Sequence, residues 1–189
     1  PKKIDIENFW DSFDIGLEPK NLTTDLCGKY RPGHFLAVID IVHRFFQIIK
    51  PKNILLGKKD YQQVIVIKEL VKIYNYNIDV ITSDTIRNKD GLALSSRNNL
   101  LTKAEMKSAA KIYKALLLAS ELCSNNISLN EVSRKINELF IKSDIKLEYF
   151  AIRDLKTLQH ANDSDLIALI AVYLGEIRLI DNIIIKSNP

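Results

Sequence analysis

The 189-residue sequence has few cysteines and few histidines, two and three respectively. Cys27 and Cys123 stand far apart, and neither has a second thiol or a histidine at the spacing of a metal site. A disulfide framework is therefore excluded, and two reduced thiols predict a cytoplasmic protein. The histidines are too scattered for a metal triad, so we expect no metal site built from protein side chains.

Long apolar runs and an excess of one charge are also lacking. The longest apolar run, Leu166–Leu174, is far shorter than the roughly 18 residues that a membrane helix needs, so we expect no membrane contact. There are 27 basic and 23 acidic residues, and the net charge of +4 is spread along the chain. This balance favours a solvated surface or an anionic small ligand over nucleic acid.

The composition that remains is that of a globular protein. Hydrophobic residues make up 47% and charged residues 26%, which excludes disorder and collagen-like repeats. The length fits one compact domain, or one domain and a small satellite. The first residue is Pro1 and not methionine, so we expect the chain to be a piece of a longer protein.

Hydrophobic periodicity in the first half predicts alternating helices and strands. A short apolar run that ends at Gly57 is typical of a buried strand in a parallel sheet. A strand, a helix and a second strand follow one another closely, which predicts a βαβ unit with a right-handed crossover. The predicted elements are a helix over Phe35–Ile49, a strand over Ile54–Leu56, a helix over Asp60–Asn75 and a strand over Ile78–Ile81.

The second half begins with a long polar loop, Thr82–Asn99, of a kind that is usually functional or disordered. Two capping boxes then predict helices, one from Thr102 to about Leu122 and one from Ser128 to about Phe140. Three further apolar segments predict a small antiparallel sheet: Ile145–Ala151, Leu166–Tyr173 and Arg178–Ile185. We place the domain boundary near Leu100, which gives domains of 1–99 and 100–189.

The joint between the first strand and its helix is one candidate site, because ligands of open α/β sheets bind beyond the carboxyl ends of strands. Gly57 would let a ligand approach the backbone, and the free N–H groups of the helix start favour an anion. Lys59 is suited to a phosphate, and Gln63 to a carboxylate or a neutral group. The alternative is a solvated helix start capped by Asp60.

Two further stretches are candidates. In Leu94-Ser95-Ser96-Arg97, two hydroxyls and a planar guanidinium suit a phosphate chain, and the alternative is a turn before the next helix. In Arg31-Pro32-Gly33-His34-Phe35, a rigid turn precedes a helix, and a structural or capping role for His34 is favoured over catalysis.

Taken in order, these stretches resemble the pantothenate synthetase family, ligases that join pantoate to β-alanine with ATP. The resemblance extends from about Leu26 to the end of the chain. It is carried by residues 31–35, 57–63 and 87–98, and by the closing stretches 173–175 and 178–182.

The resemblance implies an α/β fold: a Rossmann-like parallel-sheet domain for ATP and pantoate, incomplete at its N-terminus, followed by a small α+β lid. It also implies a step of pantothenate biosynthesis toward coenzyme A. In this reaction pantoate attacks the α-phosphate of Mg-ATP, pyrophosphate leaves, and β-alanine displaces AMP from the pantoyl adenylate. A homodimer is implied as well.

The resemblance also assigns roles to residues. Arg31 and His34 have a supporting role, and Gln63 matches the glutamine that holds pantoate. Lys59, Ser95, Ser96 and Arg97 are assigned to catalysis. The ATP site is implied to comprise Gly57, Lys58, Lys59, Asp60, Ile86, Leu94, Ser95, Ser96 and Arg97.

The sequence departs from the family pattern, which usually has Glu at Lys58, Ser at Tyr30 and Pro at Asp84. We expect Lys58 to point to solvent. The family's H-x-G-H signature, whose histidines steady the triphosphate, has no match here, since Gly33-His34 belongs to a different motif. The first pantoate-binding glutamine of the family is also missing. We therefore predict that this chain alone has little or no ligase activity.

Two other functions stay open. The chain is then either a non-catalytic remnant that binds nucleotide or dimerises, or a related nucleotidyltransferase-like ligase for another carboxylate. Lys59, Gln63 and the Ser-Ser-Arg triplet argue against the remnant, because these polar residues do little for folding.

Overall fold

The structure, a computed structural model, describes residues 18–141, 143–161 and 165–185. Contacts divide these residues into two compact units. The first unit holds 18–56 and 62–83, and the second holds 57–61 and 84–185. The loop 84–99 thus groups with the second unit by its contacts. The sequence-based domains 1–99 and 100–189 stay a prediction.

The first unit contains four helices and a two-stranded parallel sheet among its described residues. Its strands are paired directly and are joined through one helix, as the βαβ pattern predicts. In chain order the elements are α1 Lys20–Thr23, α2 Cys27–Tyr30, α3 His34–Ile49, β1 Asn53–Gly57, α4 Tyr61–Ile73 and β2 Asp79–Ser83.

The two long helices of the first unit, α3 and α4, contribute buried apolar side chains to its core. Ile39 and Phe46 of α3 are buried, and Lys50 ends this helix in the left-handed conformation. Residues Val64–Ile67 of α4 are all buried, as is Leu70.

The prediction of a buried first strand is wrong. Exposure alternates along β1, and the Leu55 side chain is 68% exposed. The cause is that β1 and β2 form a sheet of only these two strands among the described residues, so one face lacks a covering layer there.

A buried amide ties the irregular start of the first unit to α4. The Gln62 side chain is buried and makes three hydrogen bonds: its Oε1 accepts from the Cys27 N–H at 3.0 Å, and its Nε2 donates to the carbonyls of Leu22 at 2.8 Å and Asp25 at 2.9 Å. Nearby, a Cβ on Gly28 would lie 1.8 Å from the Thr23 carbonyl oxygen, so only glycine fits there.

The second unit packs two helices on a three-stranded antiparallel sheet in the order β3-β4-β5. Its core includes Ile112, Leu116 and Ile136 from the helices and Ile170 and Val172 from the central strand. The elements are α5 Lys103–Ser124, α6 Leu129–Ile141, β3 Lys146–Asp154, β4 Leu166–Leu174 and β5 Ile177–Ile185.

The capping signals predict the helix starts of this unit correctly. Thr102 and Glu105 form a complete capping box at the start of α5. At the start of α6, the Ser128 hydroxyl accepts from the Glu131 N–H at 3.3 Å, while the Glu131 carboxylate binds Arg134. The predicted small antiparallel sheet is confirmed, as is the α/β class of the chain as a whole.

The long polar loop is folded, although the sequence pattern gives it no regular element. Arg87 and Ala93 form an isolated antiparallel bridge, and Asn88 Oδ1 accepts from the N–H groups of Asp90 and Leu92. Two 3₁₀ turns complete the irregular segments: Lys58–Asp60, the first turn, and Ser96–Leu100, the second turn. No helix in the described ranges is long and apolar enough to cross a membrane.

Candidate functional site

The first turn follows β1 directly and carries three of the residues assigned to ATP. Gly57 has extended backbone, and beyond its two chain neighbours no atom of the described residues lies within 4 Å of where its Cβ would be. A ligand therefore has room to approach the backbone at Gly57, as its residue type predicts. Asp60 at the end of the turn is exposed.

Lys58 forms an ion pair at the surface, where the Asp84 side chain is 90% exposed, and the expectation that Lys58 points to solvent stays a prediction. Its Nζ lies 2.7 Å from Asp84 Oδ1, and the two residues are the ones that depart from the family pattern on either side of this region. The hydrogen bond and the charge of Lys58 lower the pKa of the Asp84 carboxyl. The positive charge of Lys58 is therefore compensated within the protein, while that of Lys59 is not paired in this way.

Lys59 is half-buried, and its ammonium has no hydrogen bond or ion pair to any described residue. Its backbone is held by a residue far along the chain: Asn182 Nδ2 donates to the carbonyls of Lys58 and Lys59, both at 2.9 Å. A fixed backbone with an uncompensated ammonium is suited to an anionic ligand.

Ile86 and Leu94 are neighbours across the bridged loop. The Leu94 N–H donates to the Ile86 carbonyl at 2.9 Å, and the bridge between Arg87 and Ala93 lies next to this bond. Both side chains are largely exposed, Ile86 at 73% and Leu94 at 50%. Together they offer an apolar surface that a flat ring can cover.

The second turn presents polar groups at its start. Ser95 Oγ donates to Asn98 Oδ1 at 2.7 Å, and the buried Asn98 amide donates to the Ala93 carbonyl at 3.1 Å. Arg97 Nη1 donates to the Arg178 carbonyl at 2.9 Å. Ser96 and Arg97 are exposed, so a hydroxyl and part of a guanidinium face outward from a fixed turn.

Arg87 anchors the loop that separates these features. Its guanidinium binds the buried Asp181 carboxylate through two hydrogen bonds, of 2.6 Å and 3.0 Å, and it lies 3.7 Å from the centre of the Tyr113 ring. A Cβ on Gly91, whose φ is +88°, would lie 2.5 Å from Tyr113. The loop therefore passes too close to the ring for any larger residue at position 91.

The structure brings the two turns to the same strand, because both contact β5. The sequence-predicted ATP residues of the second unit thus flank Asp181 and Asn182 of that strand. Sequence reasoning missed a role for Arg87, Asp181 and Asn182. The available signal was an Asp-Asn pair inside a strand that is apolar apart from Arg178, since such a pair needs partners where it is buried.

The remaining predicted residues lie in the first unit. Gln63 is half-buried on α4, and its amide has no hydrogen bond to any described residue, in contrast to the fully engaged Gln62 beside it. Gly33, with φ +76°, caps α3, which begins at His34, and the His34 N–H donates to the Arg31 carbonyl at 3.1 Å. The Pro-Gly turn thus starts the helix as its sequence predicts.

The described ranges contain no group of three His, Cys, Asp or Glu side chains that is arranged to hold a metal ion. Cys27 and Cys123 form no disulfide among the described residues, and burial raises the pKa of Cys123. A raised pKa disfavours the thiolate, so Cys123 is poorly suited to nucleophilic chemistry.

Comparison with known proteins points to one family. The model of the family described as pantoate-beta-alanine ligase matches residues 5–184. A pantothenate synthetase of Coprothermobacter proteolyticus is 38% identical over 179 residues, which is 92% of this chain and 62% of that protein. The chain therefore spans less than two thirds of the length of this relative.

Two solved structures show the same similarity. A pantothenate synthetase of Thermus thermophilus superposes with a TM-score of 0.84 at 35% identity, covering 88% of this chain and 62% of that one. A pantoate-beta-alanine ligase of Francisella tularensis, complexed with beta-gamma ATP and beta-alanine, gives a TM-score of 0.68 at 38% identity, covering 92% and 59%. By sequence and by structure, the chain belongs to the pantoate-beta-alanine ligase family.

Proposed function

We propose that this protein takes part in the ATP-dependent condensation of pantoate with β-alanine to pantothenate, through a pantoyl adenylate, with release of AMP and pyrophosphate. Family membership over residues 5–184 supports the reaction class. The observation that carries the proposal is the half-buried ammonium of Lys59, which has no ion pair with a described residue and stands on a turn whose backbone is fixed. A cation held in this way is suited to the phosphates of a nucleotide.

In the first step, a pantoate carboxylate oxygen bonds to the α-phosphorus of Mg-ATP, and the bond from that phosphorus to the pyrophosphate oxygen breaks. Both reactants are anions, so their repulsion must be screened and the leaving pyrophosphate held. Lys59, Ser96 and Arg97 supply an ammonium, a hydroxyl and a guanidinium for this purpose. The exposed pair Ile86 and Leu94 is suited to the adenine ring.

In the second step, the β-alanine amine attacks the acyl carbon of the adenylate and a C–N bond forms. The bond between that carbon and the phosphate oxygen of AMP breaks, AMP leaves, and the amine loses a proton. Water competes for the same carbon, so the site must exclude it. We assign this exclusion to the predicted C-terminal domain, residues 100–189, acting as a lid. Gln63 is the proposed pantoate ligand, and the lack of a hydrogen bond from its amide to any described residue supports that role.

Supporting proposals concern the state of the protein. Magnesium enters with ATP as part of the substrate. Cys27 and Cys123 form no disulfide in the part of the chain that the structure describes, which fits the reducing environment of the cytoplasm. Arg31 and His34 are proposed to support the site by starting α3, and the functional protein is proposed to be a homodimer.

We expect this chain to bind ATP but to turn over slowly, because its histidines, at 34, 43 and 160, offer no H-x-G-H pair to steady the triphosphate. The test is pantoate-dependent pyrophosphate release, with the Thermus thermophilus relative as the positive control. Loss of transition-state charge stabilisation predicts a rate about 100-fold or more below the relative. Pyrophosphate release at the relative's rate would contradict the expected low activity. Pyrophosphate release at the same rate with and without pantoate would contradict the proposed reaction.

A further inference from the structure

Strand β5 lies at an edge of its sheet, and two arginines of the loop cover that edge. In the order β3-β4-β5, one side of β5 has no partner strand among the described residues. The Arg178 carbonyl accepts from Arg97 Nη1 at 2.9 Å, and the Asn182 carbonyl accepts from Arg87 Nη2 at 3.3 Å. Arg178 and Asn182 are four positions apart, so their outward carbonyls share one edge of the strand.

Asn182 holds the first turn through its carboxamide. The side chain is buried, and its Nδ2 reaches the carbonyls of Lys58 and Lys59 at 2.9 Å each. An amide nitrogen has two protons, and here each is directed to one carbonyl. A carboxylate of the same shape has no proton to give and would oppose both carbonyl oxygens.

Asp181, the preceding residue, holds the bridged loop. Its carboxylate is almost fully buried, accepts both hydrogen bonds from Arg87, and also accepts from the Asn182 N–H at 2.8 Å. Successive residues of a strand point to opposite faces. Two adjacent side chains therefore fix two segments that are distant in sequence, and one hydrogen bond links the two anchors.

We propose that Asp181 and Asn182 are positioning residues, which set the conformations of residues 57–60 and 86–97 so that both present their nucleotide-binding groups from one strand. The connection to nucleotide rests on the proposed function. Both side chains are buried. They act by fixing the backbone of Lys59 and the bridged loop around Arg87 before ATP arrives, which reduces the ordering cost of binding.

The test compares Asn182→Asp with Asn130→Asp, which makes the same substitution at an exposed position of α6. Amide hydrogen exchange of residues 57–61 and 86–97 is measured for each full chain, together with ATP affinity and the melting temperature. For Asn182→Asp we expect faster exchange at 57–61 and about tenfold weaker ATP binding, the size of one or two lost hydrogen bonds. Asn130→Asp should match the wild type in both.

A purely structural role would lower the melting temperature and speed exchange throughout the second unit, including β3 and β4. That result overturns the proposal, as does unchanged exchange at 57–61. If Asn182→Asp does not fold, Asn182→Ala gives the same comparison without the added charge. A wild-type chain that binds no ATP would refute the proposed function alone, since hydrogen exchange still reads the positioning of the two segments.

Discussion

Among single residues, buried amide side chains hold irregular backbone segments in place through hydrogen bonds. Gln62 binds three backbone groups of residues 22–27, Asn98 binds the Ala93 carbonyl, and Asn182 binds the first turn. In each case the side chain satisfies backbone groups that no helix or sheet pairs, and an unpaired buried group would be costly. Polar residues inside an apolar pattern therefore mark where loops are attached.

His43 yields a prediction about pH. It is buried on α3, its Nδ1 lies 2.9 Å from the Tyr76 hydroxyl, and its ring lies 4.7 Å from that of Tyr74. Burial lowers the pKa of His43, with Asp40 opposing and Arg44 reinforcing the shift. The unfolded chain then binds the proton more readily, so stability is full above the unfolded pKa of about 6.5 and declines as the pH falls below it.

The check is the melting temperature of the wild type and of His43→Gln between pH 8 and pH 5. Glutamine does not titrate, so the variant should lose less stability across this range than the wild type, while both share the titration of the carboxylates. Parallel curves for the two proteins would show that His43 does not favour the neutral form in the fold.

At the scale of elements, the two glycines that flank the candidate site have opposite tolerances. Gly91 has φ +88°, and a Cβ there would lie 2.5 Å from Tyr113, so Gly91→Ala should destabilise the bridged loop by about 1–3 kcal/mol. Gly57 is extended with open space around it, so Gly57→Ala should leave the melting temperature nearly unchanged and weaken ATP binding by crowding the ligand. The two variants serve as controls for each other.

Thermal melting and ATP titration of both variants distinguish these expectations. Equal losses of stability would contradict the difference in backbone conformation. Unchanged ATP binding by Gly57→Ala would mean that the ligand does not approach the backbone there.

Sequence patterns predict some of these elements and not others. Periodicity and capping residues predict α3, α5, α6 and the antiparallel sheet, because one amphipathic face or one local hydrogen bond determines each of them. The two 3₁₀ turns and the bridged loop lack periodicity. Asn182 holds the first turn, Asp181 holds the bridged loop, and the Arg178 carbonyl binds Arg97 of the second turn. These partners lie more than 80 residues away in the chain, and single-sequence patterns do not reveal such pairings.

The site was predictable in residue type more than in arrangement. The motifs around Lys59 and Arg97 were identifiable because ammonium, hydroxyl and guanidinium groups suit phosphates. The partner of Lys58 could not be identified from the sequence. Asp84 lies in a segment without periodicity, and α4 separates it from Lys58 in the chain. The exposure of Leu55 was missed because an apolar run alone does not reveal how many strands flank it.

At the scale of the whole molecule, the chain interleaves its two units. Residues 57–61 lie in sequence within the first unit but belong by contacts to the second. Three kinds of contact hold residues 57–61 to the rest of the second unit. They are the Asn182 hydrogen bonds to the first turn, the Lys58–Asp84 ion pair and a hydrogen bond of 3.1 Å from the Tyr61 hydroxyl to the Leu155 carbonyl. The segment with the proposed phosphate-binding lysine is therefore anchored in the second unit.

We propose that this anchored segment binds ATP through Lys59, and an ATP titration of lysine variants decides whether it does. The measurement compares the wild type with Lys59→Ala and with Lys68→Ala, which removes an exposed lysine from α4. Loss of a charge-assisted contact predicts at least about tenfold weaker ATP binding for Lys59→Ala and wild-type binding for Lys68→Ala. Equal affinity in all three proteins, or no ATP binding by the wild type, would contradict the account.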